Sequence, residues 1–352
     1  MGILNVTPDS FSDGGSYRSP KEAAERGIEM AAEGAAIIDI GGESTRPGSD
    51  PVPAEEELRR VLPVLRELSG KTDAVISIDT TKAVVAREAI AAGAGIVNDT
   101  SALADDADMA EAVRESGCAV VLMHRRGVPA TMQVRPHYDS LFDELIPELS
   151  GRIDFALAAG IDRERILVDP GIGFGKRIED NLELHRHLGK LRVLGRPIVF
   201  GPSRKGFIGT LTGRPVRERV FGTAASVAIA VMNGAHVLRV HDVGEMRDVI
   251  RVAAAIRGIG FLQTLIFLPV VVSVVPSAII WNWIYDPQYG ILNYLLSLVG
   301  GSPVNWLFNK STALYAVIAF TVWRWIGYYM IIFWVGIRAI PETYLEAAKI
   351  DG

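Results

Sequence analysis

Through residue 257, short apolar runs alternate eight times with stretches whose apolar positions recur at helical spacing. The runs at 2–6, 36–40, 75–78, 95–98, 119–123, 166–168, 197–200 and 235–240 predict strands. Segments 20–33, 55–68, 82–92, 107–116, 140–159, 179–189 and 216–233 predict the helices between them, and 243–256 follows the last strand. Eight such units over about 255 residues match the size of a (β/α)8 TIM barrel. A doubly wound sheet is the other architecture this alternation allows. The count favours the barrel, as do the polar residues that follow nearly every strand.

The pattern changes after residue 257. From Gly258 to Tyr285 there is no charge, with Pro269 and Pro276 inside the run. A second run, 311–337, is interrupted only by Arg324. Both are long enough to cross a bilayer, so they predict two transmembrane helices, with Arg324 turned toward protein or water. The stretch 291–299 is too short to cross and predicts an interfacial segment. The expected fold class is therefore α/β: a (β/α)8 TIM barrel over 1–257, followed by a two-helix transmembrane segment within 258–352.

Composition supports that division. Of all the charged residues, only Asp286, Lys310, Arg324, Arg338, Glu342, Glu346, Lys349 and Asp351 follow Gly258. All six tryptophans lie there too. Arg251 and Arg257 before the first run, and Arg338 and Lys349 after the second, predict that both ends face the cytoplasm. The formal net charge is -5 with no basic stripe, which argues against a nucleic-acid partner. A single cysteine, Cys118, allows no intramolecular disulfide and suits a reducing compartment. It opens an apolar run and reads as a buried small residue. The N-terminus shows no signal-peptide pattern.

Candidate chemistry sits at the strand ends. Asn5 closes the first. Gly-Gly-Glu-Ser-Thr-Arg-Pro-Gly at 41–48 follows the second and carries Thr45, Arg46 and Pro47. Asp79 follows the third, Asn98 and Asp99 the fourth, and His124 the fifth. Asp169 begins Asp-Pro-Gly-Ile-Gly-Phe-Gly-Lys after the sixth. Ser203, Arg204 and Lys205 follow the seventh, and Arg239 and His241 the eighth. In a barrel these ends share one mouth. Each has a plainer reading: Asp79 as a helix N-cap, His124 as a structural histidine, 41–48 as a surface turn. His185 and His187, two apart on a helix, read as surface residues. The glycine run 171–176 misses the phosphate-loop spacing by one residue and has Arg177 where Ser or Thr belongs. As a set, Asp79, Asn98 and Asp169 suit a flat heterocycle that presents N–H pairs. Arg46, Arg239, His241 and Lys205 suit a phosphate or pyrophosphate. Asn5 could complete a magnesium site together with phosphate oxygens and water. The implied ligand has a planar head and an anionic tail.

Segments 1–15, 41–48, 77–80, 123–127, 169–176, 203–209 and 239–242, in this order, closely resemble dihydropteroate synthase. A related barrel, the pterin-binding corrinoid methyltransferase, lacks the likeness at 5–15 and 203–209. The resemblance implies a reaction of 6-hydroxymethyl-7,8-dihydropterin pyrophosphate with p-aminobenzoate, giving dihydropteroate and pyrophosphate. It implies that Asp79, Asn98, Asp169 and Lys205 hold the pterin, with Asp79, Lys205 and Asp169 as the catalytic set. Asn5 would bind Mg2+ at the pyrophosphate, with Thr45, Arg46, Arg239 and His241 nearby. Phe11, Pro47, Phe174 and Ser203 match positions lining the p-aminobenzoate pocket, where sulfonamides would inhibit. A homodimer is the family expectation. The upstream segment usual in the family is missing, and Gly206 stands where a larger residue is common.

Residues 341–352 resemble the cytoplasmic coupling loop of carbohydrate ABC transporter permeases, and the preceding runs resemble the middle of such a permease. The chain stops inside that loop, so the permease part is a fragment. The competing function is a membrane transport subunit carrying a catalytic passenger; the join without a linker suggests a gene fusion or an assembly accident. Completeness favours the enzyme, with a cytoplasmic catalytic domain and a tail in the plasma membrane.

Overall fold

The computed structural model describes residues 1–7, 19–44, 49, 51–128, 130–271 and 274–338. The chain divides into two compact units, Met1–Ala254 and Ala255–Gly352. In the first, the elements run β1 (Gly2–Asn5), α1 (Pro20–Glu33), β2 (Ile37–Gly41), α2 (Ala54–Leu68), β3 (Val75–Asp79) and α3 (Ala83–Ala91). They continue with β4 (Ile96–Asp99), α4 (Met109–Ser116), β5 (Ala119–Met123), α5 (Leu141–Ala158), β6 (Ile166–Asp169) and α6 (Ile178–His187). The last are β7 (Val199–Phe200), α7 (Gly206–Thr212), α8 (Val220–Met232), β8 (Val237–Leu238) and the start of α9 (Val243–Val271).

All strand pairings are parallel. β1 to β6 form one ladder and β7 pairs with β8. Single bridges, Val168 to Ile198 and Gly2 to Val240, join the two sets and close the barrel. A closed ring leaves no open edge, and the doubly wound alternative is excluded. Strands β7 and β8 are shorter than their apolar runs predict, because pairing there is limited to two positions on each strand. The predicted helix at 216–233 divides into a short 3-10 turn, Val216–Glu218, and α8. The sequence pattern did not predict α7, whose seven residues are too few to show a helical period.

Parity along the strands decides what the barrel holds. Ile96, Val121 and Val199 form an interior cluster with Ile37, Ala119, Leu167 and Val237 packed on it. Moving two residues along each strand keeps a side chain on the same face. Two residues on from these positions stand Asn98, Met123, Gly201, Asp39, Asp169 and Arg239. An apolar layer thus floors a polar one. The opposite face of the strands packs against the helices in the main core, as with Leu4, Ile38, Ile40 and Ile78 against Val61, Val64, Leu65 and Leu68 of α2. Cys118 is buried and free. His185 is also buried rather than a surface residue: its Nδ1 lies 2.7 Å from the Asn181 carbonyl and its Nε2 meets Ser226 Oγ.

The second unit contains α10 (Val274–Ile284), α11 (Ile291–Leu298) and α12 (Ala313–Arg338). Trp281 packs with Tyr285, Phe320 and Trp323, and Tyr285 Oη donates to the Ala316 carbonyl at 2.8 Å. Asn293 accepts from Val304 N and Trp306 Nε1 and so ties the intervening loop to α11. The two expected membrane spans must be corrected. Among the described residues no helix is long and apolar enough to cross a membrane. The first apolar run is divided between the end of α9, at Val271, and the eleven-residue α10. The second falls on α12, which carries Arg324. Residues 341–352, which carry the permease likeness, lie outside the described residues.

Candidate active site

At the carboxyl ends of the strands, Asp79, Asn98, Thr100, Met123, Asp169, Gly171, Ile172, Phe174, Gly201, Lys205 and Arg239 line one cleft of ≈ 330 Å³, counting the space open to solvent. Asp79, Asn98, Met123 and Asp169 end strands β3 to β6, and Thr100, Gly201 and Arg239 directly follow β4, β7 and β8. The loop after β6 supplies Phe174, and the loop after β7 supplies Lys205. This is the place where barrel folds present their chemistry.

Arg239 is the hub. Its Nε donates to Asp39 Oδ2 and its Nη2 to Asp79 Oδ2, both at 2.6 Å. Asn98 Nδ2 donates to the same Asp39 oxygen at 3.1 Å. Asp39 is 0% exposed, and its Oδ1 has no hydrogen-bond partner among the described residues. Asp39 does not itself line the cleft among the described residues; it braces the lining residues Asn98 and Arg239 from behind. Burial opposes the Arg239 charge, but Asp39 and Asp79 more than restore it, so the guanidinium stays protonated. Burial pushes Asp79 up to about 7; Arg239 and Lys205 pull it down, while Asp39 and Glu57 push it further up. Burial also raises the Asp169 carboxyl, whose Oδ1 accepts from Gly171 N at 2.7 Å. Lys205 is lowered to about 8, first by burial and then by Arg239, against Asp169 and Asp79. Its Nζ lies 4.1 Å from the centre of the Phe174 ring.

The loop carrying Lys205 is pinned from outside. Arg204, at φ 57, pairs with Asp242, and its N–H donates to Thr223 Oγ1 at 3.1 Å. Arg219 Nη1 donates to the carbonyls of Arg204 and Lys205 at 3.1 and 3.3 Å. Ser203 Oγ accepts from His241 N at 3.2 Å and meets His241 Nδ1 at 2.9 Å. Among the described residues, neither Ser203 nor His241 lines the cleft. Asn5 ends β1 on the interior face. A Cβ built on Gly41 would lie 3.5 Å from Asn5 Oδ1 and 3.7 Å from Asp79 Oδ2, so the two side chains flank the bare Gly41 backbone. Phe11, Thr45, Arg46 and Pro47 lie outside the described residues. The strand-end set Asp79, Asn98, Asp169, Lys205 and Arg239 is thus brought together, with Phe174 beside it. Asp79 does not cap α3, whose N-cap is Lys82.

Asp39, Thr100 and Met123 escaped the sequence reading. The signal for Asp39 was present: a carboxylate inside an isoleucine-rich strand, two residues before Gly41. His124 is placed as a structural histidine, with Nε2 2.8 Å from Glu148 Oε2.

Residues 1–241 match the family described as Pterin binding enzyme. A dihydropteroate synthase from Synechocystis sp. is 46% identical over 257 residues, covering 73% of this chain and 89% of that protein. One from Escherichia coli strain K12 is 45% identical over 255 residues, covering 72% and 90%. Among solved structures, Yersinia pestis dihydropteroate synthase in a sulfonamide drug complex superposes with a TM-score of 0.71 at 43% identity, covering 73% of this chain and 94% of that one. The Xanthomonas albilineans enzyme with 4-aminobenzoic acid gives 0.68 at 48% identity, covering 73% and 92%.

Proposed function

This chain belongs to the dihydropteroate synthase family, and on that premise we propose how its barrel joins 6-hydroxymethyl-7,8-dihydropterin pyrophosphate to p-aminobenzoate. The observation that carries the assignment of roles is the cleft itself. Acceptors (Asp79, Asp169) and an amide (Asn98) line it, where a flat heterocycle with N–H pairs would pair with them, and Asp39 braces Asn98 from behind. Lys205 and Arg239 place positive charge beside them.

In the reaction, the C–O bond between the pterin methylene and pyrophosphate breaks first, and the electron pair leaves with pyrophosphate. The pterin is left as a cation. Asp79, held ionised by Arg239, offsets that charge. The amine of p-aminobenzoate then forms the C–N bond and releases one proton to water. Phe174 provides an aromatic wall at the p-aminobenzoate end, and Ser203 with His241, Thr45, Arg46 and Pro47 would complete the outer part. Sulfonamides, which mimic p-aminobenzoate, would compete there.

Asn5 is the residue that would hold magnesium. Among the described residues no group of three His, Cys, Asp or Glu could hold a metal. One carboxamide oxygen fits only an ion that takes its other ligands from phosphate and water, which is the habit of magnesium. Bound there, it supplies positive charge against the leaving anion.

A homodimer is part of the proposal. Phe221, Ile229 and Met232 are exposed on one stripe of α8, a face that a second barrel would cover. The buried free Cys118 suits a reducing cytoplasm. Residues 258–352 enter no step of the reaction, and no transport role is proposed for them.

The test is direct. The purified chain, given both substrates and magnesium, should release pyrophosphate and form dihydropteroate in equal amounts, inhibited by a sulfonamide. Pyrophosphate release without dihydropteroate would refute the transfer.

A further inference from the structure

Lys176 is 3% exposed and, among the described residues, has no carboxylate within ion-pair distance. Burial lowers that ammonium to about 7, against the more distant Asp169, Asp180 and Glu148, so its charge is a net cost to folding. Its Nζ lies 3.0 Å from His124 Nδ1, 3.1 Å from the Phe174 carbonyl and 3.5 Å from the His124 carbonyl. On the far side of the imidazole, Nε2 meets Glu148 Oε2 at 2.8 Å. The hydrogen bond to His124 holds Glu148 down at about 2, against burial and with Arg126 adding to it, so Glu148 is a carboxylate. Burial, with Lys176 adding to it, lowers His124 to about 4, so the ring is neutral. A carboxylate can only accept. Nε2 therefore carries the ring proton, and Nδ1 accepts from Lys176. Donation therefore runs outward from Lys176 on two sides: through His124 to Glu148, and directly to the Phe174 carbonyl.

That end point matters because the loop after β6 is built against the loop after β5. A Cβ at Gly171 would fall 1.9 Å from the His124 carbonyl oxygen, and one at Gly175 would fall 2.5 Å from that of Arg126. The adjoining Gly173 is tied on both sides, its N–H donating to Asn181 Oδ1 at 2.7 Å and its carbonyl accepting from Gln133 Nε2 at 2.6 Å. The Phe174 N–H donates to Gly171 O at 3.0 Å, its carbonyl accepts from Lys176, and its ring packs with Met123 and Met132 while facing Lys205 Nζ.

We propose that Lys176 is a positioning residue: anchored by the Glu148–His124 chain, it fixes the Phe174 carbonyl, and so sets the Phe174 ring over Lys205 as the wall of the amine-substrate site. This rests on the reading of the cleft as a dihydropteroate synthase site. Lys176 does not line the cleft among the described residues, so it touches neither substrate.

Lys176→Met keeps the apolar stem and removes the donor. Losing a hydrogen bond from a charged donor should raise KM for p-aminobenzoate about tenfold, leaving kcat and KM for the pterin pyrophosphate within about twofold. Glu148→Gln, which weakens the far end of the chain, should raise the same KM by about threefold. The thermal midpoint of Lys176→Met should hold or rise, because a buried unpaired cation has gone. A merely structural lysine gives the reverse: a lower midpoint and unchanged KM. Wild-type chain that forms no dihydropteroate defeats the functional reading. Wild-type turnover with no KM split defeats this inference alone. A crystal structure of Lys176→Met with the Phe174 ring still over Lys205 overturns it whatever the activity.

Discussion

The two units invert each other's use of polarity. In the barrel, the polar layer buries Asp39, Asp79 and Asp169 beside the half-buried Lys205 and Arg239, and a cleft opens among them. In the second unit, large apolar side chains stand outside: Trp283 is 76% exposed, Phe308 85% and Tyr289 89%. A groove of ≈ 980 Å³ there, counting open space, is lined by Val275, Ile279, Trp281, Val317 and Phe320 among others. Burying charge is expensive and persists where chemistry requires it. Exposed apolar surface is equally costly in water and stabilises nothing by itself. The contrast shows where the chain has a site and where it has only a surface.

The sharpest way to break the comparison is to remove buried charge from the barrel. Asp79→Asn leaves Arg239 its bond to Asp39 but removes the carboxylate facing the developing cation. Lys205→Ala removes the cation over Phe174. Each should lower turnover at least about a hundredfold with the circular-dichroism spectrum intact. Near-normal kcat in either variant would take that residue out of the site.

A backbone change should damage the barrel next most. Gly171 sits at φ +65 with its missing Cβ 1.9 Å from a backbone oxygen. Gly171→Ala must move the loop that carries Phe174, at a cost of about 2–4 kcal/mol from strain and overpacking together. Urea denaturation should show a lower midpoint; an unchanged midpoint would mean that the loop has slack.

These effects bear on what the sequence already revealed. Strand count and the strand-end residues were legible, because alternation of apolar runs and helical periods is local information. Asp79, Asn98, Asp169, Lys205 and Arg239 could be paired with a ligand type before any geometry. Asp39 could not, since its role depends on Arg239, two hundred residues away, arriving at 2.6 Å. Lys176 was hidden for the same reason: its partner His124 comes from a different loop. The membrane reading of 258–337 failed on a different point. It treated 258–285 as one helix, whereas that run is divided between the end of α9 and the short α10.

A gentler probe titrates the buried charges instead of deleting them. Asp79, raised to about 7, must be ionised to face the cation, so kcat/KM should fall as pH drops through that value. Lys205, lowered to about 8, must be protonated, so kcat/KM should fall as pH rises past it. The expected profile is a narrow bell whose limbs belong to the linked pair Asp79 and Lys205. Asp79→Asn should lose the acid limb of whatever activity is left. An acid limb that survives in that variant would belong to another group.

The smallest effect should come from deleting the second unit. The barrel closes when the eighth helix covers the eighth strand, and α9 begins that cover with Val243, Met246 and Ala253 buried in the core. Every residue assigned to the site precedes them. The family match ends at residue 241, and the compact first unit at Ala254. A chain ending at Arg257 should therefore keep kcat and both KM values within about twofold of the full chain, far below the effect of losing one buried charge. What should change is behaviour in water. The full chain, with Trp283, Tyr289 and Phe308 exposed, should sediment as aggregate unless detergent covers them, and the shortened chain should stay in the supernatant. Ultracentrifugation with dihydropteroate assays on both fractions measures the two quantities together. If the shortened chain unfolds or loses activity while the full chain works, the second unit contributes to the barrel and the division at residue 257 is wrong.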